Sequence, residues 1–172
     1  MTESPIIAFY RGIGTDHAGR RIGDILAWDH RRLEIVHDYV QWLFPLPEPS
    51  RFNPEAPLLT ADDVAAFRGD PGLQQRALHA LDLMLDFFGL RRTDKGVERG
   101  SAFAARAQGW LDPANHNHLR LTRIMMFLRL IGLDAEAKAL LACLEDIATH
   151  EGRAAISART LAFWRDAARP AR

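Results

Sequence analysis

Asp70-Pro71-Gly72-Leu73-Gln74-Gln75-Arg76-Ala77-Leu78-His79-Ala80-Leu81-Asp82-Leu83-Met84-Leu85-Asp86-Phe87-Phe88-Gly89 is the stretch from which the fold class follows. Asp70 offers an N-cap oxygen, and Pro71 takes the first helical position, where a missing N–H costs nothing. Leu73, Ala77, Leu81, Met84 and Phe88 then recur at spacings of three and four, with Leu78 and Leu85 widening the stripe. Gly89 provides the stop. The spacing predicts a helix of about five turns with one apolar side, which must be buried against other elements.

The flanking segments carry the same helical signature. Upstream, Ile22-Gly23-Asp24-Ile25-Leu26-Ala27-Trp28 and Leu33-Glu34-Ile35-Val36 predict short helices. Tyr39 to Pro45 packs large apolar residues tightly; a strand there would have no partner, so a final helical turn feeding an extended wrap is expected. Prolines 45, 47, 49, 54 and 57 punctuate a long irregular loop over 45–59. Thr60 and Asp63 form a capping-box pattern that starts a helix to about Arg68.

Downstream, residues 91–100 are charged and glycine-containing and are expected to be mobile, and Phe103 to Ala107 predicts one or two helical turns. Leu121, Ile124, Leu128 and Ile131 mark the clearest core helix, ended by Gly132. Ala137, Leu140, Leu141, Leu144 and Ile147 mark the next, and a last helix from about Ala154 presents Ile156, Thr160, Phe163 and Ala167. The expected fold is all-α: a single compact domain over residues 5–168, with five or six principal helices and a proline-rich wrapping loop.

Composition supports one such unit. The 172 residues, 48% of them apolar, suffice for one sizeable core and scarcely for two. Basic and acidic side chains balance at 22 each, which argues against nucleic acid as a partner. The neutral sum hides a polarity: residues 1–86 hold 8 basic and 13 acidic side chains, residues 87–172 hold 14 and 9. A lone Cys143 in an apolar run points to a reducing compartment. The N-terminus lacks a basic n-region, and no run of 18 apolar residues occurs. A cytoplasmic protein without signal peptide or membrane span is therefore expected.

Motifs for chemistry are sparse. No His-x-x-x-His and no cysteine pair is present, and Glu34-Ile35-Val36-His37 lacks the second copy a di-iron site requires. Arg11-Gly12-Ile13-Gly14 lacks the third glycine and the preceding strand of a dinucleotide site. No metal and no other cofactor is expected. Asn115-His116-Asn117-His118-Leu119-Arg120-Leu121-Thr122-Arg123 is richer, because it puts polar side chains at a helix start, where free backbone N–H groups favour an anion. Helical spacing groups His116, Arg120 and Arg123 on one side, with Asn117 as a cap or a bond to a neighbouring loop. Trp42, Leu43 and Phe44 before Pro45 read as core anchors, or alternatively as an exposed recognition patch, with His37 nearby.

Phe9-Tyr10, Arg32-Leu33-Glu34, His37-Asp38-Tyr39-Val40-Gln41-Trp42-Leu43-Phe44-Pro45, Ala56-Pro57-Leu58-Leu59-Thr60, Leu83-Met84-Leu85-Asp86-Phe87-Phe88-Gly89 and Asn115 to Ile124 follow one another in an order that resembles the conserved region of the opioid growth factor receptor family. The pairing of the 37–45 block with the 115–124 block is the specific part. His118 departs from the asparagine of the family pattern, which introduces a group able to titrate near about pH 6.5.

The resemblance implies a non-enzymatic domain that binds a peptide or protein, and the basic section favours an acidic one. The expected ligand-binding set is His37, Trp42, His116, Asn117, Arg120 and Arg123. Two alternatives stand beside it. One is an enzyme acting on a small anionic substrate through the His116/Arg120 region. The other is a structural homo-oligomer whose acidic and basic sections pair between copies.

Overall fold

The computed structural model describes residues 3–170. The chain divides into two compact units, one ending at Ala80 and one beginning at Leu81.

The first unit is built from short helices. Helix α1 (Pro5–Tyr10) starts at Ser4, whose hydroxyl accepts from the Ile7 amide, and carries proline in its first turn. Helices α2 (Ile22–Leu26) and α3 (His30–Ile35) match the expected short pieces, and Asp29 caps the second by accepting from the Arg32 amide. Helix α4 (Val40–Leu43) is the predicted final turn. Trp42 and Leu43 of this turn and Phe44 just after it are all buried, so the core-anchor reading holds. The phenol of Tyr10 donates to the Leu43 carbonyl and that of Tyr39 to the Leu33 carbonyl, 2.8 Å away, so two buried hydroxyls fasten this segment. Residues 44–60 form no helix or strand, and the Leu59 amide donates back to the Leu46 carbonyl. Helix α5 (Ala61–Gly69) begins with the capping box read from Thr60 and Asp63, and the Ser4 hydroxyl also donates to Asp63. Helix α6 (Pro71–Phe88) is capped by Asp70, which accepts from the Gly72 amide. From α6, Arg76 reaches the Tyr10 carbonyl at 2.7 Å.

The second unit corrects the all-α expectation. Residues read as a mobile charged stretch form an antiparallel hairpin of β1 (Leu90–Thr93) and β2 (Gly96–Arg99), with Leu90 opposite Arg99 and Thr93 opposite Gly96. The charges that suggested solvation are committed. Arg91 bonds Glu98 directly across the hairpin, and Arg92 makes a two-pronged bond to Asp82 of α6 at 2.6 and 2.8 Å. Gly96 supplies the turn with a φ of 133°. Gly89, at φ 79°, lets the chain leave α6 into the hairpin, and a Cβ there would lie 2.7 Å from Phe103 Cα. The mostly helical character stands, with this two-stranded sheet added.

Helix α7 (Phe103–Ala107) is the expected short one, followed by α8 (Asn117–Leu130), α9 (Asp134–Thr149) and α10 (Ala158–Ala167). Arg99 on β2 ties to α9 and the turn after it through Asp146 and Glu151. The last helix starts later than the sequence suggested, at a Ser157 cap that accepts from the Thr160 amide. Its inward residue is Trp164, fully buried, while Phe163, expected on the apolar stripe, is half exposed. Among the described residues no helix is long and apolar enough to cross a membrane.

Candidate functional site

The 115–123 block is set up by the loop before it. Ala114 takes a left-handed conformation at φ 58°, turning Asn115 back on the chain. The Asn115 amide group donates to Asp112 at 2.7 Å and to the Gly109 carbonyl, while its oxygen accepts from the Asn117 amide at 2.9 Å. The His118 amide donates to the Asn115 carbonyl and the Leu119 amide to the His116 carbonyl. The amides of Asn117, His118 and Leu119 are thus bonded within the chain, which removes the basis for an open anion site there. His116 is the N-cap residue and uses no side-chain cap bond; Asn117 lies in the first turn and is fully buried, so Asn115 does the capping expected of Asn117.

The predicted basic face also divides. Arg120 is turned inward at 6% exposure, with its guanidinium carbon 6.0 Å from the Phe87 ring centroid. Arg106 of α7 stacks over the same ring at 5.0 Å and donates to the Phe87 carbonyl. His116 stays exposed and Arg123 is half-buried. The outer stripe of α8 is therefore His116, Leu119 and Arg123, at spacings of three and four, rather than His116, Arg120 and Arg123.

His118 is the best-fixed group of the block. Its Nε2 lies 2.8 Å from the Trp110 carbonyl, and since a carbonyl only accepts, Nε2 carries the proton. The ring lies edge-on between Trp110 and Trp164, with centroids 6.5 and 5.7 Å away. The Trp164 indole donates to the His118 carbonyl at 3.1 Å and the Trp110 indole to the Phe88 carbonyl at 3.0 Å. Burial pushes the His118 pKa below its ordinary value, outweighing the bond to Trp110 that favours the proton. The unfolded chain therefore binds a proton at His118 more readily than the folded one. This contribution to stability is complete above about pH 6.5 and declines as pH falls below it toward the lower folded value. Urea melts at a series of pH values between about 5 and 8 check it. His118→Asn should show a shallower acid loss than the parent, and parallel profiles would exclude His118 as the cause.

In the first unit, His37 is exposed in the short link between α3 and α4, and Trp42 is 6% exposed. The sequence reading missed the polar cluster around Trp42. The Trp42 indole donates to His17 Nδ1 at 3.0 Å, and His17 Nε2 lies 3.0 Å from Asp38. An indole N–H only donates, so Nδ1 holds the lone pair and Nε2 carries the proton toward Asp38. Both ring nitrogens are engaged, which makes His17 a structural bridge rather than a waiting base. Arg20 joins Asp38 at 2.8 Å to the buried Asp16 at 2.6 Å, and Asp16 also accepts the Ala18 and Arg20 amides. Burial pushes the Asp38 carboxyl up, but the hydrogen bonds from Arg20 and His17 and the charge of Arg20 outweigh it and hold the group below the usual carboxylate range. The Asp16-His17-Ala18-Gly19-Arg20 turn was the available signal: an aspartate followed by a glycine at φ 75° marks a self-bonded turn.

No group of three or more His, Cys, Asp or Glu among the described residues is placed to hold a metal ion. An open groove runs along Asp82, Asp86, Leu90 and Arg91 to Asp94, and none of the six predicted residues lines it.

The two sequence blocks thus lie in well-defined local structures, and the chain as a whole has relatives among known proteins. Residues 7–172 match the family described as the opioid growth factor receptor (OGFr) conserved region. The chain belongs to this family. It is 40% identical over 139 residues to the human opioid growth factor receptor, covering 77% of this chain and 20% of that protein. It is 38% identical over 135 residues to the rat opioid growth factor receptor, covering 74% of this chain and 23% of that protein. The mouse opioid growth factor receptor-like protein 1 is 38% identical over 109 residues, or 62% of this chain and 23% of that protein. The chain spans about a fifth of the length of these family members. No solved structure matches it.

Proposed function

We propose that this member of the opioid growth factor receptor family is a peptide- or protein-binding module that works without catalysis, with residues 5–168 as its functional unit. The observation that carries the reading is the division within the 115–123 block. Its most chemically capable groups, His118 and Arg120, are buried, with His118 bonded to Trp110 and Arg120 set against Phe87, whereas His116 and Leu119 are exposed. An enzyme needs its acid, base or anion-binding groups to reach a substrate. A docking module needs a rigid frame that presents an outer stripe.

Of the six predicted ligand residues, His116 and Arg123 on the outer edge of α8 serve as contacts in this reading, while the exposed His37 belongs to the first unit and is proposed only as a separate contact there. Asn117 and Arg120 are buried in the frame of the second unit, and Trp42 is buried within the first. The relatives are named receptors for an opioid growth factor, which supports a peptide or protein partner. The buried Cys143 thiol, its pKa pushed up to about 11 by burial, suits a reducing, cytoplasmic setting.

Panning a random peptide library against the immobilised chain tests the reading. Recovered peptides should bind in solution saturably, with Kd of about 1 to 100 μM. If no peptide saturates, the binding reading fails.

A further inference from the structure

We propose that the docking surface is the shared outer side of α8 and α10, and that its occupant is an acidic amphipathic segment of a partner protein. This rests on the binding reading above and adds a place and a chemistry to it.

The two helices touch where the Trp164 indole meets the His118 carbonyl, and further along Arg129 Nη1 of α8 donates at 2.8 Å to the carbonyl of Arg169, two residues past the C-terminal end of α10. Contacts therefore advance along both helices in the same direction. Successive helical residues turn by about 100°. For helices running the same way, the residue after His118 and the residue before Trp164 rotate toward the same side of the pair. Those residues are Leu119 and Phe163, which are 57% and 51% exposed. On the other side, Arg165 of α10 bonds Glu145 of α9, so that side is occupied by the fold itself.

Arginines flank this apolar centre. Arg159 stands one turn before Phe163, with its guanidinium carbon 5.6 Å from the ring centroid, and among the described residues it makes no ion pair. Stacking on an aromatic face holds a guanidinium in place while leaving its N–H edge open to a carboxylate. Arg123 follows Leu119 by four residues on the same stripe, and Met126 extends the apolar part by three more. Two exposed hydrophobes with arginines beside them complement a segment that carries apolar residues three and four apart and carboxylates along their edge. The excess of 14 basic over 9 acidic side chains in residues 87–172 draws the same charge.

The test uses the full chain and the peptides recovered by panning. They should carry net negative charge and apolar residues at helical spacing. Affinity should fall by about tenfold or more in Phe163→Ser and in Arg159→Glu, and stay unchanged in Phe52→Ser, which removes an exposed aromatic from the 44–60 loop. Raising salt from about 50 to 500 mM should weaken binding to the parent more than to Arg159→Glu. If Phe163→Ser does not fold, Leu119→Ser and Arg159→Glu carry the test. Neutral or basic peptides would overturn the proposed partner. Acidic peptides that bind all variants equally would overturn the location while leaving the binding reading intact. Sedimentation showing a dimer of the parent that Phe163→Ser abolishes would make the occupant a second copy and overturn the partner.

Discussion

Replacing Trp164 by alanine is expected to cost about 4–5 kcal/mol of stability, toward the upper end for buried tryptophan truncation. The side chain is fully buried, its indole bonds the His118 carbonyl, and its ring meets the His118 ring 5.7 Å away. The truncation leaves a cavity between α8 and α10 and removes the edge contact that holds His118. The carbonyl itself keeps a partner, because the Thr122 hydroxyl also donates to it at 3.1 Å. The loss is therefore mainly one of packing. Trp164→Phe should recover most of it, leaving about 1–2 kcal/mol for the lost N–H and the smaller ring. Phe163→Ala, one residue away but half exposed, should stay within about 0.5 kcal/mol of the parent. Urea unfolding followed by far-UV circular dichroism measures all three. A Trp164→Ala midpoint equal to that of Phe163→Ala would mean that α10 does not sit on α8 as described.

Trp42→Ala should cost about 3–5 kcal/mol. Trp42 is 6% exposed, its ring lies 5.2 Å from that of Phe9, and its indole completes the bridge through His17 to Asp38. Here too the hydrogen bond is the smaller part, because His17 is open enough to solvent for water to take the place of the indole. Trp42→Phe should accordingly lose only about 1 kcal/mol. Nitrogen chemical shifts of His17 give an independent readout: the parent should show the tautomer protonated at Nε2, and Trp42→Phe should show a mixture. An unchanged midpoint in Trp42→Ala would return this residue to the surface-patch reading.

The contrast between Trp164 and Phe163 marks where sequence reasoning stopped. Both are large and apolar on one helix, and a 100° step separates them. An amphipathic stripe is about that wide, so periodicity alone leaves the choice open. It is made by the neighbour: His118 offers a carbonyl to the Trp164 indole, which a phenyl ring cannot use. Arg120 is the complementary case. It sits at the edge of the Leu121, Ile124, Leu128 stripe, and a charged residue at such an edge reads as solvated. Phe87 supplies an aromatic face under its guanidinium and draws it inward. The hairpin was hidden for a similar reason. Arg91, Arg92 and Arg99 look like a solvated run until their acids, Glu98, Asp82, Asp146 and Glu151, are brought to them, and two of those lie more than 40 residues away in sequence.

Local features were legible because their physics is local. A cap oxygen, a proline at the first helical position, a left-handed glycine and a three-four apolar spacing act within one or two turns, so the capping box at Thr60, the start of α6 at Asp70-Pro71 and the stop at Gly89 are set by the residues themselves. Family membership was legible too, because it is a property of ordered motifs. What only the tertiary structure decided is which polar residues of those motifs face solvent. Burial of an arginine, a histidine or an asparagine depends on a hydrogen-bond acceptor or an aromatic face supplied from elsewhere in the chain, and such pairings are settled by packing. That packing turned the 115–123 block from a polar cluster into a buried frame with an exposed His116, Leu119, Arg123 edge.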